Sequence, residues 1–403
     1  MHSKRLDRVA LFAALALFLS IVELVIPKPI PFFRIGLANL PLLIALTLFT
    51  PREFILLVFL KIFGQGIVSG TLFSYVFMFS AAGSFSSGLV MLLLRRWYPN
   101  KISLIGIGVL GALASNSAQL LFASAFIFGR STWLIAPLFL LVGTITGVIL
   151  GGFAAYLLQH SRWLSAAAEA PESYGTGENI KEAGSMPVSP VFRLVTGLCM
   201  IPPFLLQTNI PLKLVHILFF ALASVSLGKR IRILPGVMIA AAVTGAQLLT
   251  PIGEVIAYIG SFPVTSGALQ QGFVRALNLV GLVYVSRYTV SSDLPIPGKL
   301  GMLLYRVFYY FEELTAYRVV RDRGAGFREN IKQALLGIDL FLFQLSGPEG
   351  GAAGGGLSPK TSLKSSPKTS LKAGNPKRVV PPLILLCLTG LQWILYALGV
   401  VLL

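Results

Sequence analysis

Residues 133–158 read WLIAPLFLLVGTITGVILGGFAAYLL, 26 consecutive positions with no Asp, Glu, Lys, Arg or His. A helix of that length is about 39 Å long at 1.5 Å per residue, more than the roughly 30 Å hydrocarbon core of a bilayer. A surface helix of a soluble protein keeps a charged face. This run has none, so it predicts a membrane-spanning helix. The same texture recurs before it at 9–26, 35–49, 54–69, 75–94 and 102–128. It recurs after it at 191–206, 210–227, 233–249, 270–288 and 379–403. The expectation is an all-α, polytopic integral membrane protein with roughly ten or eleven spans. The run at 35–49 is short, and the next is interrupted by Lys61, Gly64, Gln65 and Gly66.

Composition agrees. The 403 residues are 55% hydrophobic and 12% charged, with mean hydropathy +0.80. Soluble domains carry about 25% charged residues. The net charge of +18 would suggest nucleic acid in a soluble protein. Here Lys and Arg fall mostly between apolar blocks, so the charge reads as topological and no nucleic-acid partner is expected. Lys4, Arg5, Arg8, Arg95, Arg96, Lys101, Lys229, Arg230 and Arg232 share one side if the N-terminus is cytoplasmic. The opposite loops then keep only Lys28, Arg34, Arg130 and Lys213. The expected location is the inner (cytoplasmic) cell membrane. The first apolar run is long, contains Glu23 and lacks a clean cleavage site, so it reads as a retained helix, not a signal peptide.

Three stretches break the apolar pattern. Residues 159–190 are polar and Gly/Ser-rich, and read as a flexible linker. Residues 299–345 mix apolar positions with Arg306, Glu312, Glu313, Arg318, Arg321, Arg323, Arg328 and Lys332, a composition of amphipathic helices. Residues 347–378 repeat SPKTSLK at 358–364 and 366–372 and read as a disordered tether. The expected units are therefore 1–158, the linker 159–190, a second membrane unit 191–346, the tether 347–378 and a last span 379–403.

An ionisable group in a spanning helix costs at least about 2.5–3.5 kcal/mol on insertion scales, so it usually faces a bundle interior. Glu23 and Lys61 are such groups in the first unit, Arg34 ends the loop between its first two spans, and Asn39, Asn116 and Gln119 also sit in apolar surroundings. Two readings stay open. They line a ligand pocket, with Arg34 or Lys61 meeting an anionic group. Or Glu23 and Lys61 pair structurally, or Lys61 snorkels to an interface, while the amides bond across helices. Ala10 and Ala14 make a small-xxx-small step that lets another helix approach closely.

The string Ser20-Ile21-Val22-Glu23, Ile26-Pro27 and Arg34-Ile35-Gly36-Leu37-Ala38-Asn39, with Pro51-Arg52-Glu53, Lys61, Gly70-Thr71, Ser80, Gly83 and Ala114 to Leu120, resembles the Gx transporter family. That family is also catalogued as heptaprenyl diphosphate synthase component I. The resemblance covers about residues 8–158. It implies a six-helix bundle like the substrate-binding S components of energy-coupling factor importers. It also implies a substrate pocket at Glu23, Arg34, Asn39, Lys61, Asn116 and Gln119, and a docking stripe at Ala10 and Ala14. Ser115 stands where many relatives are expected to carry His; if that His binds the relatives' substrate, this chain's ligand differs from theirs.

The run Ser261 to Gly267, Gly272-Phe273-Val274-Arg275-Ala276-Leu277, Ser286, Thr289 and Asp293-Leu294 is similar to the T component of the same importers. Further on, Phe311-Glu312-Glu313 and Arg321-Asp322-Arg323-Gly324 resemble its cytoplasmic coupling segment, which grips an ATPase. Asp322 replaces the usual Ala, so only Arg323 and Gly324 of that motif carry over, and Glu312 joins them as a coupling candidate. The resemblance implies coupling helices in the second unit and separate ABC-type ATPase subunits as partners. The bland reading of 299–345 is a surface-lying helix drawn to anionic lipid.

No G-x-x-x-x-G-K-[ST] occurs, so ATP phosphates cannot be cradled by that route. The four Asp residues, Asp7, Asp293, Asp322 and Asp339, are scattered, whereas a prenyl synthase clusters carboxylates to hold Mg²⁺. Two distant cysteines and three histidines set up no metal site. No catalytic residue, cofactor or metal is expected. The sequence thus reads as a membrane subunit of an importer for an unknown small molecule. The alternative is an accessory, non-catalytic membrane subunit in heptaprenyl diphosphate or menaquinone side-chain synthesis.

Overall fold

A computed structural model describes residues 2–25, 36–99, 101–169, 189–207, 209–226, 233–259, 262–290, 298–316, 333, 336–343 and 382–401. The described part is helical apart from one two-stranded hairpin. Helix α1 is His2–Val25. Gly36, at φ 84°, opens a 3-10 turn Leu37–Asn39 that leads into α2, Leu40–Leu48. At about 13 Å, α2 is too short to cross a bilayer as a helix. Thr50 then caps α3, Pro51–Val68: its backbone N–H donates to Glu53 Oε2 at 2.8 Å, and Glu53 N–H donates back to Thr50 Oγ1 at 3.5 Å. Lys61, Gly64, Gln65 and Gly66 lie inside this continuous helix and do not interrupt it. The two glycines are packing positions: a Cβ on Gly64 would meet Leu17 at 3.0 Å and one on Gly66 would meet Phe77 at 2.8 Å.

Helices α4 (Tyr75–Trp97), α5 (Leu104–Ala123, prolonged by a π-turn Ser124–Phe128) and α6 (Thr132–His160) are long and apolar enough to cross a membrane. The chain is thus an all-α membrane protein. Leu37–Leu48 and segments of the later helices are apolar but shorter. α5 and α6 touch through their backbones. A Cβ on Gly147 would lie 2.7 Å from Val109 Cα, and one on Gly151 would lie 2.6 Å from Ile105 Cα. Small residues allow this approach where no water drives association.

Residues 159–169, expected in the flexible linker, are helical. α6 runs to His160 and α7 spans Arg162–Glu169. Trp163 of α7 stacks on Phe12 of α1 with centroids 5.1 Å apart, which ties this segment to the core. The rest of the linker, 170–188, lies outside the described residues, as do the tether 347–378 and residues 317–332.

The second half holds α8 (Ser189–Leu206), α9 (Ile210–Ser226), α10 (Ile233–Leu248), α11 (Ser266–Thr289), α12 (Gly298–Ala316) and the last helix, Pro382–Val401. Between α10 and α11 lies a hairpin the sequence reading missed: β1, Val255–Ile259, pairs antiparallel with β2, Phe262–Thr265. Its β-branched and aromatic residues were hidden by the apolar background, where period-2 alternation has no polar partner to stand out against.

α12 buries Leu303, Leu304, Val307, Tyr310 and Leu314, one face at helical spacing. That face belongs to the same core as α1. Arg306 of α12 pairs with Asp7 of α1. Ala10 and Ala14 follow Asp7 at three and seven residues, share its side of the helix and are fully buried. The helix received on this side of α1 is one of the chain's own. The two halves meet elsewhere too. Phe73 N–H donates to Ser286 Oγ at 3.0 Å, Ser131 Oγ to Ala246 O at 3.0 Å, and Arg275 Nη1 to Ile127 O at 3.3 Å. Ser161 Oγ and the Arg162 amide both donate to Asp339.

Candidate functional site

A cavity of about 100 Å³ lies among the helices of the first half. A water needs about 10–15 Å³ by this measure, so the space fits several waters or a small polar molecule. Its walls are polar in an otherwise apolar bundle. Ser20 and Glu23 come from α1, Lys61 and Gln65 from α3, Ser80 and Ser84 from α4, Ser115, Asn116 and Gln119 from α5, and Thr146 from α6. On α1, α3 and α4 the two contributors are three or four residues apart, and on α5 Gln119 stands four and three residues from Ser115 and Asn116, which places each set on one helix face.

The local geometry holds each group. Glu23 Oε2 accepts the backbone N–H groups of Gly36 and Leu37 at 3.2 and 3.0 Å. Those amides are presented by the left-handed Gly36, a conformation that favours glycine. Lys61, only 2% exposed, donates from Nζ to Asn39 Oδ1 at 2.5 Å. Asn39 sits at the start of α2, so the short helix and α3 are fastened at the cavity wall. Ser80 Oγ donates to Gln65 Oε1 at 3.0 Å. Gln119 Nε2 donates to Ser115 Oγ at 3.0 Å, and its buried Oε1 has no partner among the described residues. Asn116 Nδ2 donates to the Phe139 carbonyl of α6 at 2.9 Å. Gly143 makes room for it, since a Cβ there would collide with the Asn116 amide.

Five of the six residues expected at a pocket, Glu23, Asn39, Lys61, Asn116 and Gln119, therefore line one cavity. Arg34, the sixth, lies outside the described residues. Asn116 also bridges two helices, as the structural reading of such amides has it. Sequence reasoning did not select Gln65, Ser84 or Ser115 as site residues. The signal was available: Gln65 follows Lys61 by four, Ser84 follows Ser80 by four, and Gln119 follows Ser115 by four. Chemically, the cavity offers an ammonium, amides and hydroxyls. Its single carboxylate already accepts two amides, a set suited to hydrogen-bonding a small polar solute.

The coupling residues are placed differently. Glu312 is exposed on α12. Arg323 and Gly324 lie outside the described residues. Lys213, expected among the loop charges, is instead 1% exposed inside α9. Its Nζ donates to Asn278 Oδ1 of α11 at 2.7 Å and lies 5.7 Å from the Phe204 ring centroid. The helix begins at Ile210, three residues before it, so the position that read as a loop is already in the first turn. His216, one turn on, is fully buried, and neither ring nitrogen has a hydrogen-bond partner among the described residues.

The fold and cavity define a helical membrane protein with a polar internal site. Residues 12–157 match the family model described as heptaprenyl diphosphate synthase component I, the family resembled by the Glu23-to-Asn39 string. Residues 189–292 match a domain of unknown function (DUF8519), which lends the T-component resemblance no support. No curated protein and no solved structure matches the chain.

Proposed function

We propose that this chain is the membrane subunit of an energy-coupling-factor-type importer for a small polar molecule. In this reading the first six helices form the solute-binding module and the second half couples it to separate ATPases. The cavity carries the proposal: five polar residues from four separate stretches of sequence converge on one space within apolar helices. Buried polar groups there are costly unless they serve packing or a ligand, and Gln119 Oε1 accepts no hydrogen bond from the described residues. The contact of α1 with α12 supports it further, because binding in the first half then has a direct path to the amphipathic helix. The N-terminus is cytoplasmic in this reading, the membrane is the cytoplasmic one, and the chain catalyses nothing itself.

A second reading follows from the family description matched by 12–157: an accessory membrane subunit of heptaprenyl diphosphate synthesis. The two separate by co-purification. In the importer reading the solubilised protein retains ATPase subunits, Arg323→Glu releases them, and mass spectrometry finds a small polar molecule that Asn116→Leu removes. Retention of a soluble prenyl synthase whose activity rises on binding, with no ATPase, overturns it.

A further inference from the structure

A second cavity, of about 210 Å³, opens where α2 meets α3 against the end of α4. Its lining is Leu46, Phe49, Pro51, Phe54 and Leu92, with Arg95 and Arg96. Five apolar side chains thus sit beside two guanidinium groups. Neither arginine has a hydrogen bond or ion pair among the described residues. A helix C-terminus favours cations, which accounts for basic residues in the last turn of α4. It does not account for an apolar hollow next to them. Trp97 and Tyr98 follow, 66% and 48% exposed. Aromatic side chains at the end of a membrane-crossing helix mark the headgroup level.

We propose that this cavity binds an anionic phospholipid. The phosphodiester is held by Arg95 and Arg96, whose planar forks match phosphate oxygens bidentately. The upper part of an acyl chain lies against Phe49, Phe54 and Leu92. A free phosphate ion satisfies the arginines but leaves the apolar wall wet. A neutral lipid fills the wall and leaves the guanidinium groups without an anion. Only an amphiphile with an anionic head uses both halves. The site is separate from the polar cavity and does not depend on the importer reading.

The test uses the full-length protein in nanodiscs of phosphatidylcholine with and without phosphatidylglycerol, followed by native mass spectrometry of the lipid it retains. The wild type retains phosphatidylglycerol. Arg95→Gln/Arg96→Gln lowers that retention by about tenfold or more, as expected for two basic residues at a lipid phosphate. Lys101→Gln, which removes an exposed cation from the loop that follows α4, leaves it unchanged. Leu92→Phe, which narrows the apolar wall with both charges intact, also lowers it. Thermal melting of each variant reports folding. If the double variant does not fold, Leu92→Phe and competition by inorganic phosphate decide. The proposal is overturned if Lys101→Gln loses as much lipid as the arginine variant, if Leu92→Phe retains lipid fully, or if excess inorganic phosphate displaces it.

Discussion

Lys61 reaches Asn39 across 22 positions of sequence, its Nζ 2.5 Å from the amide oxygen. This bond joins the middle of α3 to the start of the short α2 at the wall of the polar cavity. Lys61→Met removes the donor and leaves a partly buried amide oxygen unmatched, a loss of about 1–3 kcal/mol. The expected result is a lower melting temperature in detergent and loss of any small molecule that co-purifies with the wild type. Retention of that molecule by a folded Lys61→Met protein shows that the lysine is only structural.

Gly147→Leu places a branched side chain where a Cβ alone would be 2.7 Å from Val109 Cα. Overpacking of this kind costs about 1–3 kcal/mol, more when backbone must move. Thermal melting is expected to show a clear fall. Leu at Gly152, where a Cβ meets nothing within 4 Å, is expected to melt near the wild type.

The Asp7–Arg306 contact has a pH signature. Burial pushes the Asp7 carboxyl up, outweighing the downward pull of the Arg306 guanidinium. A raised native value means that the fold favours the protonated form. The stabilisation is complete below the ordinary carboxylate pKa of about 3.9 and is lost as pH rises through the raised value. Above about pH 4, Asp7→Asn is expected to flatten this part of the melting-temperature profile. An unchanged slope refutes the assignment.

Buried Lys213 and half-buried Asn278 are hydrogen-bonded between α9 and α11. Removing one member strands the other, whereas replacing both with apolar groups is often neutral or stabilising. Lys213→Met alone is therefore expected to melt below Lys213→Met/Asn278→Leu. Equal melting of the two would show that the bond contributes nothing.

Much of this was legible in the sequence. Uninterrupted apolar length fixes a helix in lipid, because a chain with no water nearby must satisfy its own backbone hydrogen bonds. So the runs around Trp133, Tyr75 and Leu104 read correctly. The out-of-place Glu23, Lys61, Asn39, Asn116 and Gln119 were visible for the same reason: each is expensive where it stands. The hairpin at Val255–Thr265 was not visible, and neither was the helical start of the linker. Their signals are contrasts of polarity, and an apolar chain supplies little contrast.

By itself, then, the sequence determined that this is a helical membrane protein and which of its polar residues needed an explanation. Only the tertiary structure decided that those residues share one cavity, that the alanine face of α1 is buried on the side that meets α12, and that Lys213 is buried. Periodicity specifies which side of a helix a residue occupies. The neighbour on that side is set by close packing between segments far apart in the chain, down to the backbone contact of Gly147 with Val109, and such contacts have no local signature.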